Sequence, residues 1–222
     1  MSLSVNEAKI RIAKKVAEIL PDGGYVNLGV GIPTMACDYL PEGKNLIIQT
    51  ENGMLGVGPA PSAENVCPNL INASRKHITE TLGCSYFDSA ASFAMIRSGR
   101  IDMTVIGAIE VAENGDLANW ALPGTGVLGP GGAMDLVTGV KKVIVATQHT
   151  NKAGNSKLVK KCTVPLTGLG VVDIVVTEYA VFEFIAGHMV LKEYTSDKNL
   201  NDIARMTNAA YTIAENVKIW EV

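Results

Sequence analysis

The segment Leu46-Ile-Ile-Gln-Thr-Glu-Asn-Gly-Met-Leu-Gly-Val-Gly-Pro59 decides the class of fold. Its short apolar start, Leu46 to Thr50, reads as a buried strand. Asn52-Gly53 forces a tight turn directly after it, and Gly56, Gly58 and Pro59 keep any helix from smothering what precedes them. Glu51 therefore stands at the carboxyl end of a strand. In open α/β sheets, ligands sit outside those ends. A carboxylate held there on a stiff support is placed to act as nucleophile, acid or base.

Outward from this strand, the pattern alternates. Ser4-x-x-Glu7 is a capping box. Ile12, Val16, Ile19 and Leu20, with Ala13 and Ala17, follow it as an apolar stripe at helical spacing. Pro21-Asp-Gly-Gly24 ends that helix. Val26–Val30 reads as a strand, Gly31-Ile-Pro-Thr34 as a turn, and Met35–Leu40 as the start of the next helix. On the other side, Pro59–Arg75 is polar and turn-rich, a surface excursion. Phe87–Gly99 is a helix that starts near Asp88 and stops at Gly99. Val140–Thr147 and Val171–Thr177 are further buried strands, and Val181–Ile185 with Met189–Lys192 make a hairpin around Ala186-Gly187-His188. From Asn199 on, the chain reads as a helix with Ile203, Met206 and Ala210 on one face. Alternation at this pitch predicts βαβ units. The expected fold is α/β, a single open, mostly parallel sheet flanked by helices with antiparallel hairpin additions, with residues 1–222 forming one domain.

The chain carries its own control for the Glu51 segment. Glu113-Asn114-Gly115 repeats the tripeptide between the strand-like runs Thr104–Val111 and Asp116–Trp120. Asn-Gly between such runs is the strongest short signal for a two-residue hairpin. Glu113 therefore reads as a solvated turn residue, and Glu51 as a strand-end residue with a chemical role.

Composition narrows the classes. Hydrophobic residues make up 47% of the 222-residue chain and charged ones 18%, which describes a globular protein. Aromatics are scarce at 5% and glycines generous at 22, a balance that suits a Val/Ile/Ala-rich parallel sheet with many backbone-lined loops. A net charge of −3 offers no electrostatic footprint for nucleic acid. Apolar runs stay too short to cross a membrane, and no secretory signal opens the chain. Cys37, Cys67, Cys84 and Cys162 lack a C-x-x-C spacing, so neither a metal site nor a disulfide framework is expected. The expected setting is cytoplasmic.

Two glycine loops could approach a bulky ligand. Gly29-Val30-Gly31 follows a strand and precedes a helix, but it lacks the third glycine of a dinucleotide fingerprint and Pro33 interrupts it. It is either an ordinary βα turn or a loop whose amides a nucleotide thiol can reach closely. Gly124–Gly132 holds five glycines in nine residues. It is either a plain connector or a source of backbone amides for the oxyanion of an acyl intermediate. His77, His149 and His188 belong to no triad and read as structural, Asp135, Asp173 and Glu178 read as caps or sheet-end acids, and Cys84 and Cys162 as buried or half-buried thiols.

Several ordered segments together carry a resemblance. Val26–Thr34, Thr50–Pro59, Phe87–Arg97, Gly115–Trp120, Gly131–Leu136 and Pro165–Gly168 resemble the β subunit of family I, 3-oxoacid CoA-transferases of the acetate/butyrate–acetoacetate type, over nearly the whole chain. The resemblance implies that CoA moves between an acyl-CoA and a short-chain or 3-oxo acid through a glutamyl-CoA thioester on Glu51. It implies that Gly132 offers a backbone amide near the thioester oxygen, and that Gly29, Val30, Gly31 and Ile32, with Asn52 and Gly131, face the coenzyme. Thr50 stands where the family usually has Ser, and Gly129-Pro-Gly-Gly132 where it commonly has Gly-Met-Gly-Gly. Coenzyme A is then a substrate; no permanently bound cofactor, metal, nucleic acid or membrane is implied. An α subunit is the implied partner, in an α2β2 assembly, and the β chain alone could self-associate through an exposed apolar patch. Rival readings are an acyl-CoA hydrolase using the same glutamate, a sugar-phosphate isomerase using it as a base on carbon, and a non-catalytic module binding acyl-CoA or sugar effectors.

Overall fold

The computed structural model describes residues 3–121, 124 and 129–222. In chain order the elements are α1 (Val5–Ile19), β1 (Tyr25–Leu28), α2 (Ile32–Met35) running into a 3₁₀ turn (Ala36–Tyr39), β2 (Ile47–Thr50), β3 (Met54–Val57) and β4 (Glu80–Tyr86). Then come α3 (Ser89–Arg97), β5 (Met103–Ile106), β6 (Glu110–Ala112), β7 (Leu117–Ala118), α4 (Ala133–Gly139), β8 (Lys142–Ala146) and β9 (Leu158–Val159). The chain closes with β10 (Ile174–Val176), β11 (Ala180–Ile185), β12 (His188–Thr195), α5 (Leu200–Met206) and β13 (Thr212–Trp220).

A ten-stranded open sheet organises these elements in the order β13-β12-β11-β10-β8-β5-β1-β2-β3-β4. Its centre, from β2 to β10, is wholly parallel. Antiparallel hairpins extend it on both sides, through β2–β3–β4 and β10–β11–β12. The mostly parallel α/β sheet read from the sequence is therefore the observed architecture. Alternate residues of the central strands feed two cores, as the pleat requires. Ile144, Ala146, Ile174 and Val176 pack with Ile12 and Val16 of α1 and with Leu20, its C-cap, on one face. Val143, Val145 and Val175 pack toward α4 and α5 on the other. At the start of α1, Ser4 and Glu7 close the capping box in both directions.

Four features depart from the sequence reading. The run Thr104–Val111 is not one strand: β5 stays in the main sheet, while β6 joins β7 and β9 in a separate three-stranded sheet. The connection at Glu113 is a three-residue loop rather than a two-residue one, with the Gly115 N–H on the Ala112 carbonyl and the Ala112 N–H on the Asp116 carbonyl. The edge strand β4 carries no apolar alternation because all but one of its residues are exposed.

The tail from Asn199 is only briefly helical. Thr207 is drawn out of helical backbone at φ −110° and ψ 115°. Its hydroxyl meets the buried His149 ring, and the next N–H groups, of Asn208 and Ala209, bond the Leu158 carbonyl. The chain then runs out as edge strand β13. There Ala214, Val217 and Trp220 are the half-buried positions, a spacing of three produced by an irregular register against β12. The helix read over Ile203, Met206 and Ala210 therefore ends at Met206, where these tertiary contacts take over.

Candidate active site

Glu51 opens the turn between β2 and β3. Thr50 pairs with Met54, and the Gly53 N–H closes the loop on the Thr50 carbonyl at 3.0 Å. The same geometry recurs at Gly115 and Ala112. The two Glu-Asn-Gly tripeptides thus share one turn, and the contrast between strand end and hairpin turn read from the sequence does not hold. What differs is the surroundings. The carboxylate of Glu113 accepts the Ala210 N–H at 2.9 Å, so it fastens the start of β13 rather than facing solvent alone. Glu51 lies half-buried against α3 and α4. A Cβ on Gly132 would come within 2.6 Å of Glu51 Oε2 and 2.8 Å of the Phe93 ring, so only glycine leaves room for the carboxylate there.

The turn is fastened on each side. Thr50 Oγ1 donates to Asn52 Oδ1 at 2.8 Å and accepts the Ala73 N–H at 3.0 Å, while Asn52 Nδ2 donates to the Ile71 carbonyl at 2.8 Å. Gly53 has φ +125° and brings its backbone so close to Phe87 that a Cβ would lie 2.1 Å from the Phe87 carbonyl oxygen. The Phe87 N–H in turn donates to the Gly53 carbonyl at 3.0 Å. The turn and the approach to α3, capped by Asp88, are therefore one piece.

Electrostatics at Glu51 favour the protonated acid. Burial raises its pKa above the ordinary 4.5, and the charge of Asp135 in the first turn of α4 raises it further. Asp135 is also paired with Arg97 of α3, Nε to Oδ1, at 2.6 Å. An ionised Glu51 needs amide or hydroxyl donors, yet among the described residues no hydrogen bond reaches its carboxylate. The wall is instead the Phe93 ring and the Gly132 backbone.

The glycine loop after β1 joins the same sheet end. Register places Asn27 opposite Gln49, and Gly29 and Glu51 each follow two residues after that pair, at the same end of the sheet. The Gly29 N–H bonds the Val105 carbonyl at 2.8 Å, and Gly31, at φ +94° with open space around it, leads into α2. Gly131 (φ +54°) and Gly132 precede α4, and the Pro130 carbonyl accepts the Ala133 N–H. Within the glycine loop, Thr125 to Leu128 lie outside the described residues.

Phe93 carries no signal as a site residue in the sequence, and Asp135 reads there only as a cap or sheet-end acid. Phe93 and Asp135 border Glu51 only because α3 and α4 pack together, a tertiary contact with no local signature. His149 is fully buried between the hydroxyls of Thr177 and Thr207, and burial pushes its pKa down to about 4. That neutral, core-filling histidine fits the structural role read for it.

Comparison with known proteins adds the family. Residues 9–206 match the model of the coenzyme A transferase family. The chain is 46% identical over 213 residues to a subunit of the probable succinyl-CoA:3-ketoacid coenzyme A transferase of Bacillus subtilis, covering 96% of this chain and 99% of that one. It is 47% identical over 211 residues to the beta subunit of the acetate CoA-transferase of Escherichia coli, covering 95% of this chain and 96% of that one. The fold matches the crystal structure of the acyl-CoA transferase YdiF apoenzyme from Escherichia coli O157:H7 with a TM-score of 0.77 at 19% identity. That match covers 99% of this chain and only 44% of the YdiF chain. With a family match running from α1 to α5 and relatives aligned nearly end to end, the chain belongs to the coenzyme A transferase family.

Proposed function

We propose that this chain is the β subunit of a CoA-transferase that moves CoA between an acyl-CoA and a short-chain or 3-oxo carboxylic acid, with Glu51 as nucleophile and residues 1–222 acting as one domain. The observation that carries the reading is that Glu51 Oε2, at the carboxyl end of a parallel strand, lies where a Cβ on Gly132 would come within 2.6 Å of it, so that it faces the glycine that opens α4. Holding reactants in line contributes up to about 7–11 kcal/mol to such transfers, and the threefold fastening of the turn supplies that rigidity.

The steps balance as follows. The Glu51 carboxylate attacks the thioester carbonyl, giving an acyl–glutamyl anhydride and CoA thiolate. The thiolate attacks the Glu51 carbonyl, forming glutamyl-CoA and releasing the donor acid. The acceptor carboxylate then attacks glutamyl-CoA, and the returning thiolate takes the new acyl group and frees Glu51. In this reading a backbone amide at Gly132 faces the developing oxyanion. Gly29, Val30, Gly31, Ile32 and Gly131 lie along the coenzyme, while Asn52, whose side chain is engaged by Thr50 and Ile71, shapes the turn that meets it.

The proposed partner is an α subunit, in an α2β2 assembly. Two relatives named above are subunits, and YdiF is more than twice as long as the matched region. Val30, Tyr86 and Met134 are exposed at 67%, 57% and 38%, each beside a segment of the site, a surface that a partner would cover. No helix among the described residues is long and apolar enough to cross a membrane.

The test is reconstitution with acetoacetyl-CoA and acetate. The chain alone is expected to be folded and nearly inactive, and addition of the α subunit is expected to yield acetyl-CoA. With the partner present, Glu51→Gln is expected to lose several orders of magnitude in rate and Glu113→Gln to stay near wild type. A dead Glu113 variant, or full transferase activity from a β-only preparation, contradicts the proposal. Acyl release without acetate would mark a hydrolase.

A further inference from the structure

Four buried polar side chains run from β5 across β1 and β2 to α3, reaching β2 two residues before Glu51. Thr104 of β5, Asn27 of β1 and Gln49 of β2 are register partners across three parallel strands. With Ser92 of α3, none is more than 3% exposed. Thr104 Oγ1 donates to Asn27 Oδ1 at 3.5 Å, and Asn27 Nδ2 donates to Gln49 Oε1 at 2.6 Å. Gln49 Nε2 then donates to Ser92 Oγ at 2.8 Å. The row is neutral and directional, tight from Asn27 to Ser92 and long at its Thr104 end.

Stability gives no reason for such a row. Parallel strands covered on both faces are ordinarily apolar throughout, and Val26, Met103 and Val105 beside these residues are core. Replacing both partners of a buried hydrogen bond with apolar groups of the same shape is nearly neutral or stabilising. The position of the row is what distinguishes it. Gln49 lies on β2 two residues before Glu51, which opens the turn that β2 leads into. Ser92 immediately precedes Phe93, whose ring meets the same point beside Gly132 as Glu51 does.

We propose that Gln49 is a positioning residue for Glu51, acting through the Thr104–Asn27–Gln49–Ser92 row to lock the strand that carries the nucleophile against the helix that walls it. Hydrogen bonds weaken steeply with angle and distance, so the row resists sliding of β2 past α3 in a way that apolar packing does not. This inference rests on Glu51 being the nucleophile.

The test replaces the row with its apolar replica, Asn27→Leu/Gln49→Met/Ser92→Ala/Thr104→Val, assembled with the α subunit. The urea midpoint is expected at or above wild type and KM within roughly threefold of it, because shape is kept and substrate contacts are untouched. Turnover is expected to fall about tenfold to a hundredfold, the scale of a misplacement near 1 Å, and CoA attachment to the Glu51 peptide to slow in parallel. A folded replica with turnover within twofold of wild type, or with the loss confined to KM, overturns the proposal and leaves the row as a register device. If the replica does not fold, Ser92→Ala decides: reduced turnover at unchanged KM supports the proposal, and wild-type turnover contradicts it. Wild-type enzyme run alongside reports on Glu51 itself, since absent transfer or adduct there would fault the nucleophile rather than the row.

Discussion

Glu51 keeps its carboxylate in a chamber that resists ionisation, and the sign of its effect on stability follows. Burial first and the charge of Asp135 second raise its folded pKa above 4.5. Between 4.5 and that raised value the folded chain holds a proton that the unfolded chain has lost, so stability falls as pH rises through this window and stays lower above it. Glu51→Gln is therefore expected to melt higher than wild type at pH 7, with the gap closing as pH falls toward 4.5. A variant that melts lower than wild type at pH 7 would mean that the carboxylate is stabilised where it sits. In the proposed mechanism the same cause sets the acid limb of the rate, since a carboxylate nucleophile must be ionised. Asp135→Asn removes the second source of the shift. The acid limb of kcat/KM is expected to move to lower pH in that variant, and an unmoved limb would separate Asp135 from Glu51.

At the scale of elements, the β2–β3 turn depends on one backbone angle. Gly53 and Gly99 both have positive φ, at +125° and +70°, but only Gly53 also presses on a carbonyl, that of Phe87. Both alanines carry the strain of positive φ, about 1–3 kcal/mol, and Gly53→Ala should lose more stability than Gly99→Ala because its Cβ also meets the Phe87 carbonyl, as read from urea midpoints. Equal losses would remove the contact with Phe87 from the explanation. This turn also shows what the sequence conveys. Its apolar run, its Asn-Gly and its glycines place Glu51 at a strand end without any structure, because strand and turn signals are local. Local signals likewise find α1, α3 and the β11–β12 hairpin. They miss β4, whose side chains are nearly all exposed, and they carry the helix of Ile203 and Met206 on to Ala210 and beyond, where the chain is already leaving α5 for β13. They also give Glu51 and Glu113 different roles for a reason that fails, since both sit in the same turn. The surviving distinction, Gly132 and Phe93 against one and Ala210 against the other, is tertiary.

In the whole molecule, two cores on either side of a parallel sheet hold the turn after β2, the loop after β1 and the start of α4 at one end. Exposed Val30, Tyr86 and Met134 border that end, which fits a site completed by a second subunit that keeps water from a reactive thioester. The measurement that bears most directly on the central claim is mass spectrometry of the chain quenched after mixing, with the proposed α subunit, with acetoacetyl-CoA. CoA is expected on the peptide that contains Glu51, and absent from Glu51→Gln. Sustained transfer by an enzyme that never carries CoA on that peptide would contradict the claim that Glu51 is the nucleophile.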